Sequence, residues 1–237
     1  MKKWALLLTA VCLLLAGCGK STTDMVTEKG SSDTVSVETE AAKEVPGDVV
    51  QEEAPAYTVR PLPDSTMENL TDAILAVSFK KGDAYVDDTG KMQMNVKIFT
   101  YDKYDVVGIS KLEKGDSIVT HAGEVRIGSL ERGKGGTLYI NGGVEEGGLE
   151  LITDESVIFY ETGLNDTRNW YEVGEATIRV SVDFEAYDLS DPAQGERIFY
   201  PGSFLNDEVT NYDFTPYNTT IRVEAGQIVE LIRRYVP

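Results

Sequence analysis

Thr177-Ile178-Arg179-Val180-Ser181-Val182-Asp183-Phe184-Glu185 alternates polar and apolar residues over nine positions. Side chains along a strand point to opposite faces with a period of two. The stretch is therefore expected to be a strand with Ile178, Val180, Val182 and Phe184 on the core side and its charges in water. Asn95 to Thr100 and Val157 to Tyr160 carry the β-branched and aromatic residues that suit strands. Turn signals separate these runs: Asp88-Thr89-Gly90, Lys114-Gly115-Asp116, Ala122-Gly123-Glu124, Arg132 to Gly136 and Asn141-Gly142-Gly143. Thr220 to Val223 and Gln227 to Tyr235, joined at Ala225-Gly226, read as a closing hairpin. The expected fold class is all-β: a small barrel or sandwich of antiparallel hairpins, with at most one or two short helices. Ser65-Thr66-Met67-Glu68 fits a capping box and predicts a short helix over 65–72. A strand then follows through Leu75 to Phe79, paired with 92–100.

Leu112 to Gly142 is similar in its strand order to a small SH3-like or OB-like barrel, in which a Gly-Asp turn feeds a hairpin. This is an analogy of fold and carries no function.

The chain opens differently. Lys2 and Lys3 precede an apolar run, Trp4 to Ala16, which ends in Leu15-Ala16-Gly17-Cys18. A basic start, a short apolar run and small residues are the plan of a secretory signal peptide. The run is shorter than the ~20 apolar residues that span a bilayer. Leu15 to Cys18 resembles the bacterial lipobox. That resemblance implies cleavage after residue 17 and attachment of diacylglycerol to Cys18. Two acyl chains give a stable anchor where one gives a marginal one. The expected location is the extracytoplasmic face of the cell membrane. The other cysteine, Cys12, leaves with the signal, so the mature chain has no free thiol and no intramolecular disulfide.

Residues 18–56 are expected to be the lipidated Cys and an acidic tether. Gly19 to Ala56 carries nine acids against three Lys and no aromatic residue. Such a segment buries too little apolar surface to offset its ordering entropy. All 12 Tyr and all seven Phe lie at or after Tyr57, so 57–237 is expected to be one β-rich domain. That domain holds 31 acids and 17 Lys or Arg, a net charge of −14. A surface of that sign repels phosphate backbones, which argues against nucleic acid as a partner. An envelope protein, peptide or glycan remains compatible.

No residue pattern calls for a catalytic centre, a metal or a cofactor. His121, the only histidine, sits beside Ala122-Gly123 and is expected on an exposed hairpin turn. His121 and Glu124 alone do not complete a zinc site. Asp83, Asp87 and Asp88, and the group Asp183, Glu185, Asp188 and Asp191, could offer oxygens to calcium but lack EF-hand spacing. The glycines of 139–149 lead into strand-like Leu149 to Ile152 rather than a helix, which excludes a phosphate loop. Tyr101-Asp102-Lys103-Tyr104-Asp105, Asn169-Trp170-Tyr171 and the aromatics Phe199, Tyr200, Phe204, Tyr212, Phe214 and Tyr217 could stack on a sugar or cap a cationic peptide, or pack a thin β core.

The domain resembles uncharacterised Gram-positive lipoproteins in Tyr101-Asp102 with Tyr104-Asp105, Lys114-Gly115-Asp116, Ile140 to Gly143 and Arg233 to Pro237. The resemblance implies placement and brings no activity. The function expected is a non-catalytic binding or envelope-accessory module. The alternatives are a carboxylate-dependent envelope hydrolase and a calcium-stabilised structural module.

Overall fold

The computed structural model describes residues 56–80, 82–153, 158–164, 167–206 and 214–236. Cys18, the tether as far as residue 55, Val157 and Tyr212 lie outside them. The described residues form an all-β protein with two short α-helices.

Five strands close into a ring. They are β2 (Ala73–Ser78), β4 (Met92–Thr100), β12 (Tyr171–Leu189), β14 (Thr219–Glu224) and β15 (Gln227–Arg234). β2 pairs with β4, β4 with β12, β12 with β15, β15 with β14, and β14 with β2. Four of these contacts are antiparallel and β12–β15 is parallel. Numbered along the chain, the ring runs first, second, third, fifth, fourth and back to the first. A helix, α2 (Pro201–Asn206), falls between the third and fourth strands. This is the connectivity of an OB barrel. The parallel pair departs from the expected set of antiparallel hairpins. It arises because the chain crosses the barrel end through α2 before returning.

β12 makes closure possible. Its first half pairs with β4, as far as Arg179, and its second half with β15, from Arg179 onward. It is interrupted twice. Its register against β4 shifts between Glu172 and Gly174, where the Met67 side chain lies 3.1 Å (Sδ) from where a Cβ would stand on Gly174. Its register against β15 shifts between Val180 and Glu185. Bulges of this kind bend a strand and re-aim side chains. The second one corrects the expected alternation. Ile178, Val180 and Phe184 are buried, but Val182 is 80% exposed, turned out by the irregularity. The barrel core is built from Leu75, Val77, Met94, Val96, Ile98, Val180, Phe184, Phe204, Phe214, Ile221, Ile228 and Leu231 among others.

The predicted helix over 65–72 is absent. Residues 66–68 make a turn, and the Asn69 side-chain oxygen accepts from the backbone N–H of Thr71 and Asp72 and from Thr71 Oγ1. Asn side chains that bond nearby backbone compete with helical bonding. The strand after it and its pairing with β4 are as expected. So is the terminal hairpin, whose two-residue turn holds Ala225 and Gly226 at φ 48° and 73°.

A second core is built mainly from the chain between β4 and β12, with Val59 added from the chain before β2. β5 (Lys103–Asp105), β8 (Leu130–Arg132), β9 (Leu138–Ile140), β10 (Leu149–Thr153) and β11 (Ile158–Thr162) form one sheet in the order β5-β11-β10-β9-β8. β6 (Ser117–Thr120) and β7 (Gly123–Arg126) form another with β1 (Thr58–Val59), which joins β6 in parallel. Tyr104, Ile109, Leu112, Ile118, Ile127, Leu138, Ile140 and Leu151 fill it, with Ile109 supplied by α1 (Val106–Ser110). Leu112 to Gly142 is thus divided between two sheets, and the OB-type ring is made by strands outside it.

Candidate functional site

The chain leaves the barrel at Thr100 and re-enters it at Tyr171, and these two residues face one another across β4 and β12. The next residue after Thr100 but one, Asp102, is 3% exposed. Three groups point at its carboxylate. The His121 backbone N–H donates to Oδ2 at 2.7 Å, His121 Nδ1 lies 3.3 Å from the same oxygen, and the Tyr171 hydroxyl donates to Oδ1 at 3.1 Å. The His121 ring also stacks on Tyr171, with centroids 4.3 Å apart and planes 17° apart. His121 does sit on the β6–β7 turn, as expected. Its imidazole is nevertheless pinned, because Asp102 holds its backbone and Tyr171 covers its face.

Glu161, on β11, completes the group. Its Oε1 accepts from Asn169 Nδ2 at 2.6 Å, and its Oε2 is buried without a hydrogen-bond partner. One ligand atom from each of Asp102, His121 and Glu161 lies within 4.8 Å of the others, the only such group of three among the described residues. Burial holds the Glu161 carboxyl above the usual carboxylate range, and the negative charge of Asp102 adds to this, against the Asn169 bond and the pull of His121. Burial first, and then Asp102, drive the Tyr104 and Tyr171 hydroxyls well above the ordinary phenol range. Both therefore stay protonated at neutral pH. Tyr171 donates to Asp102, and Tyr104 to the Val119 carbonyl at 3.1 Å.

Beside this group stands an aromatic box. Tyr101 meets Trp170 edge-on at 4.9 Å and Tyr160 at 5.6 Å, and the Arg168 guanidinium lies over Tyr101 and Tyr160 at 4.7 and 4.8 Å. Trp170 has a second role. It lines a groove of about 800 Å³ on the outer face of β4 and β12. Phe99, Trp170 and Tyr217 line it together with the core residues Phe79 and Phe214, and Asp83, Asn95, Lys97 and Glu175 are among its polar residues. Lys97 is held by Glu172 at 2.9 Å and Glu175 at 3.3 Å, and Thr177 Oγ1 donates to Asn95 at 2.7 Å. Lys97 and Asn95 thus already have partners on the same face. The late aromatics divide: Phe204 is core, Phe214 is core and also borders the groove, and Tyr217 is 52% exposed there.

Five of the seven acids weighed for calcium are used locally. Asp87 accepts from Gln93, Thr89 and Lys91, and these bonds hold its carboxyl well below the usual range, Gln93 contributing most. Asp83 accepts from the Lys80 N–H, and Asp191 from Ala193 and Gln194. Asp188 is taken up by Ser190 and Arg197, and Glu185 by Tyr187. Comparison with protein-family models, with curated proteins and with solved structures finds no match for this chain.

Proposed function

We propose that the chain is a lipid-anchored extracytoplasmic binding module, held to the cell membrane through Cys18 and offering its β4–β12 face to an envelope glycan. The observation that carries the ligand is the groove. Aromatic residues, Phe99, Trp170 and Tyr217 among them, stand beside Asn95, Lys97, Asp83 and Glu175. Apolar faces with a few placed polar groups are what ligand sites need, and sugar rings present both a C–H face and hydroxyls. The face between the second and third strands, with the loop joining the first and second, is also where OB barrels take oligonucleotides and oligosaccharides. The net charge of −14 on residues 57–237 sets oligonucleotides aside and leaves an uncharged chain.

In calorimetry on the full chain in detergent, a neutral wall oligosaccharide is expected to bind. Tyr217→Ala is expected to weaken it at least about tenfold, in line with the loss of an aromatic anchor. The melting temperature should not move, because half of Tyr217 is in water. Affinity unchanged in this variant, or binding of peptides instead, would reject the glycan. Support for the anchor lies in Lys2, Lys3 and Leu15 to Cys18; among the described residues no helix is long and apolar enough to cross a membrane. Metabolic palmitate is expected to label the wild type and leave Cys18→Ser unlabelled in the soluble fraction. Label retained by the variant would remove the anchor.

The alternative, a carboxylate-dependent hydrolase, would need two carboxylates flanking the sugar in a cleft; Asp102 and Glu161 approach one another but are 3% and 8% exposed and line no part of the groove. Shortened oligosaccharide appearing in the same titration would favour it over simple binding.

A further inference from the structure

We propose that Asp102, His121 and Glu161 form a site for one divalent transition-metal ion of the zinc or manganese type, separate from the groove. Metal–oxygen and metal–nitrogen bonds of about 2.0–2.2 Å set the ligands of one tetrahedral ion about 3.4 Å apart. His121 Nδ1 and Asp102 Oδ2 are already 3.3 Å apart, and one ligand atom from each of the three residues lies within 4.8 Å of the others. Gathering the three around an ion therefore takes side-chain movements of about an ångström.

An independent observation points the same way. Glu161 is 8% exposed, and its Oε2 has no partner, although Asn169 holds Oε1. Buried carboxylate oxygens are normally paired, and an orphan asks for a group that the protein itself does not supply. A cation beside Asp102 and His121 would supply it, and would also offset the two carboxylates that the fold brings together.

The donor set selects the ion. One imidazole and two carboxylates suit zinc, manganese or iron, whereas calcium and magnesium take oxygen throughout. Three protein ligands leave a position open for water or a small ligand. Tyr171 on His121 and Asp102, and Asn169 on Glu161, are outer partners that fix the orientation of the ligands. A quarter of the His121 side chain is exposed, which gives the ion a way in over the β6–β7 turn.

The test is titration of the full chain in detergent, stripped with EDTA, with zinc chloride and manganese chloride, using calcium chloride as control. One equivalent of zinc is expected to bind and to raise the melting temperature. Cobalt is expected to give a visible absorption band. Glu161→Gln and His121→Phe should each weaken zinc at least 30-fold and abolish the cobalt band. The Phe ring preserves the stack on Tyr171, so this second variant tests the ligand and not the fold. Equal zinc affinity in wild type and both variants, or calcium binding as tightly as zinc, would overturn the site and mark the uptake as general attraction to an acidic surface. Tyr217→Ala should leave zinc binding unchanged, so that failure of the groove and failure of the metal site are read separately.

Discussion

Phe204→Ala is expected to destabilise the protein by about 3–5 kcal/mol, the usual cost of removing a buried aromatic side chain and leaving its cavity. Phe204 is fully buried. It enters from α2 and meets Phe184 edge-on at 5.4 Å, Phe214 at 6.1 Å and Phe79 at 6.4 Å, while Phe79 and Phe214 stack at 4.2 Å. These four rings join β12, the end of β2 and the approach to β14. Urea unfolding would show a lower midpoint with the slope unchanged. Phe204→Leu should cost clearly less, because it fills much of the volume. A loss below about 1 kcal/mol for the alanine variant would mean that α2 does not seal the barrel end.

Arg197→Ala should cost about 3 kcal/mol or more, because it strands a buried charge. Asp188 is 2% exposed and faces Arg197 directly across β12 and β13 (Arg197–Phe199). The guanidinium bonds its carboxylate, and Ser190 donates from both backbone and hydroxyl. Burial alone would push the Asp188 carboxyl up, but the Ser190 bonds and Arg197 together bring it below the usual range. The sign follows from that. A carboxyl depressed in the folded state adds stability that is complete above its unfolded value of about 3.9, and that stability is lost as pH falls through the folded value. Wild-type stability should therefore drop below about pH 4. In Arg197→Ala the contribution from Asp188 should shrink or change sign, since burial then acts without the opposing cation. Urea midpoints from pH 3 to 7 would read this directly. Asp188→Asn added to Arg197→Ala should recover part of the loss, because it removes the orphaned charge; no recovery would argue that Arg197 acts through its guanidinium over the Phe199 ring instead.

The fold class could be read from the alternation of residues 177–185 and from the Gly-rich turns, because both express local geometry. Closure of the ring could not. It depends on β12 exchanging β4 for β15 at Arg179, a choice made by partners far along the chain. Val182 was misplaced for the same reason, since a bulge is set by the pairing and not by the pattern. The helix over 65–72 failed on a single side chain, Asn69, whose bonds to Thr71 and Asp72 outweighed a fitting capping box. The site was legible only in fragments. Asp102, Trp170 and Tyr171 belong to aromatic stretches visible in the sequence, and His121 was placed correctly on a turn. Glu161 carried no signal among so many acids. What joins them is the exit and return of the chain at the barrel wall, where Tyr171 reaches Asp102 across 69 residues.

The ring order also governs when the molecule can assemble. The Asn95–Thr177 bond closes a separation of 82 residues, and the Asp72–Ala225 bond one of 153. The second core draws largely on close neighbours, such as β6 with β7, β8 with β9 and β10 with β11, with β5–β11 and β1–β6 as its more remote pairings. Chains reach nearby contacts sooner than remote ones, since the entropy of closing a loop must be met first. The inserted sheets can thus condense early and hold Thr100 and Tyr171 near one another, cutting the search that β4 and β12 would otherwise face. By the same reasoning the β2–β14 seam, which joins the most remote strands of the ring, comes last, and until then the open edges of β2 and β14 are the surfaces on which mispairing would begin.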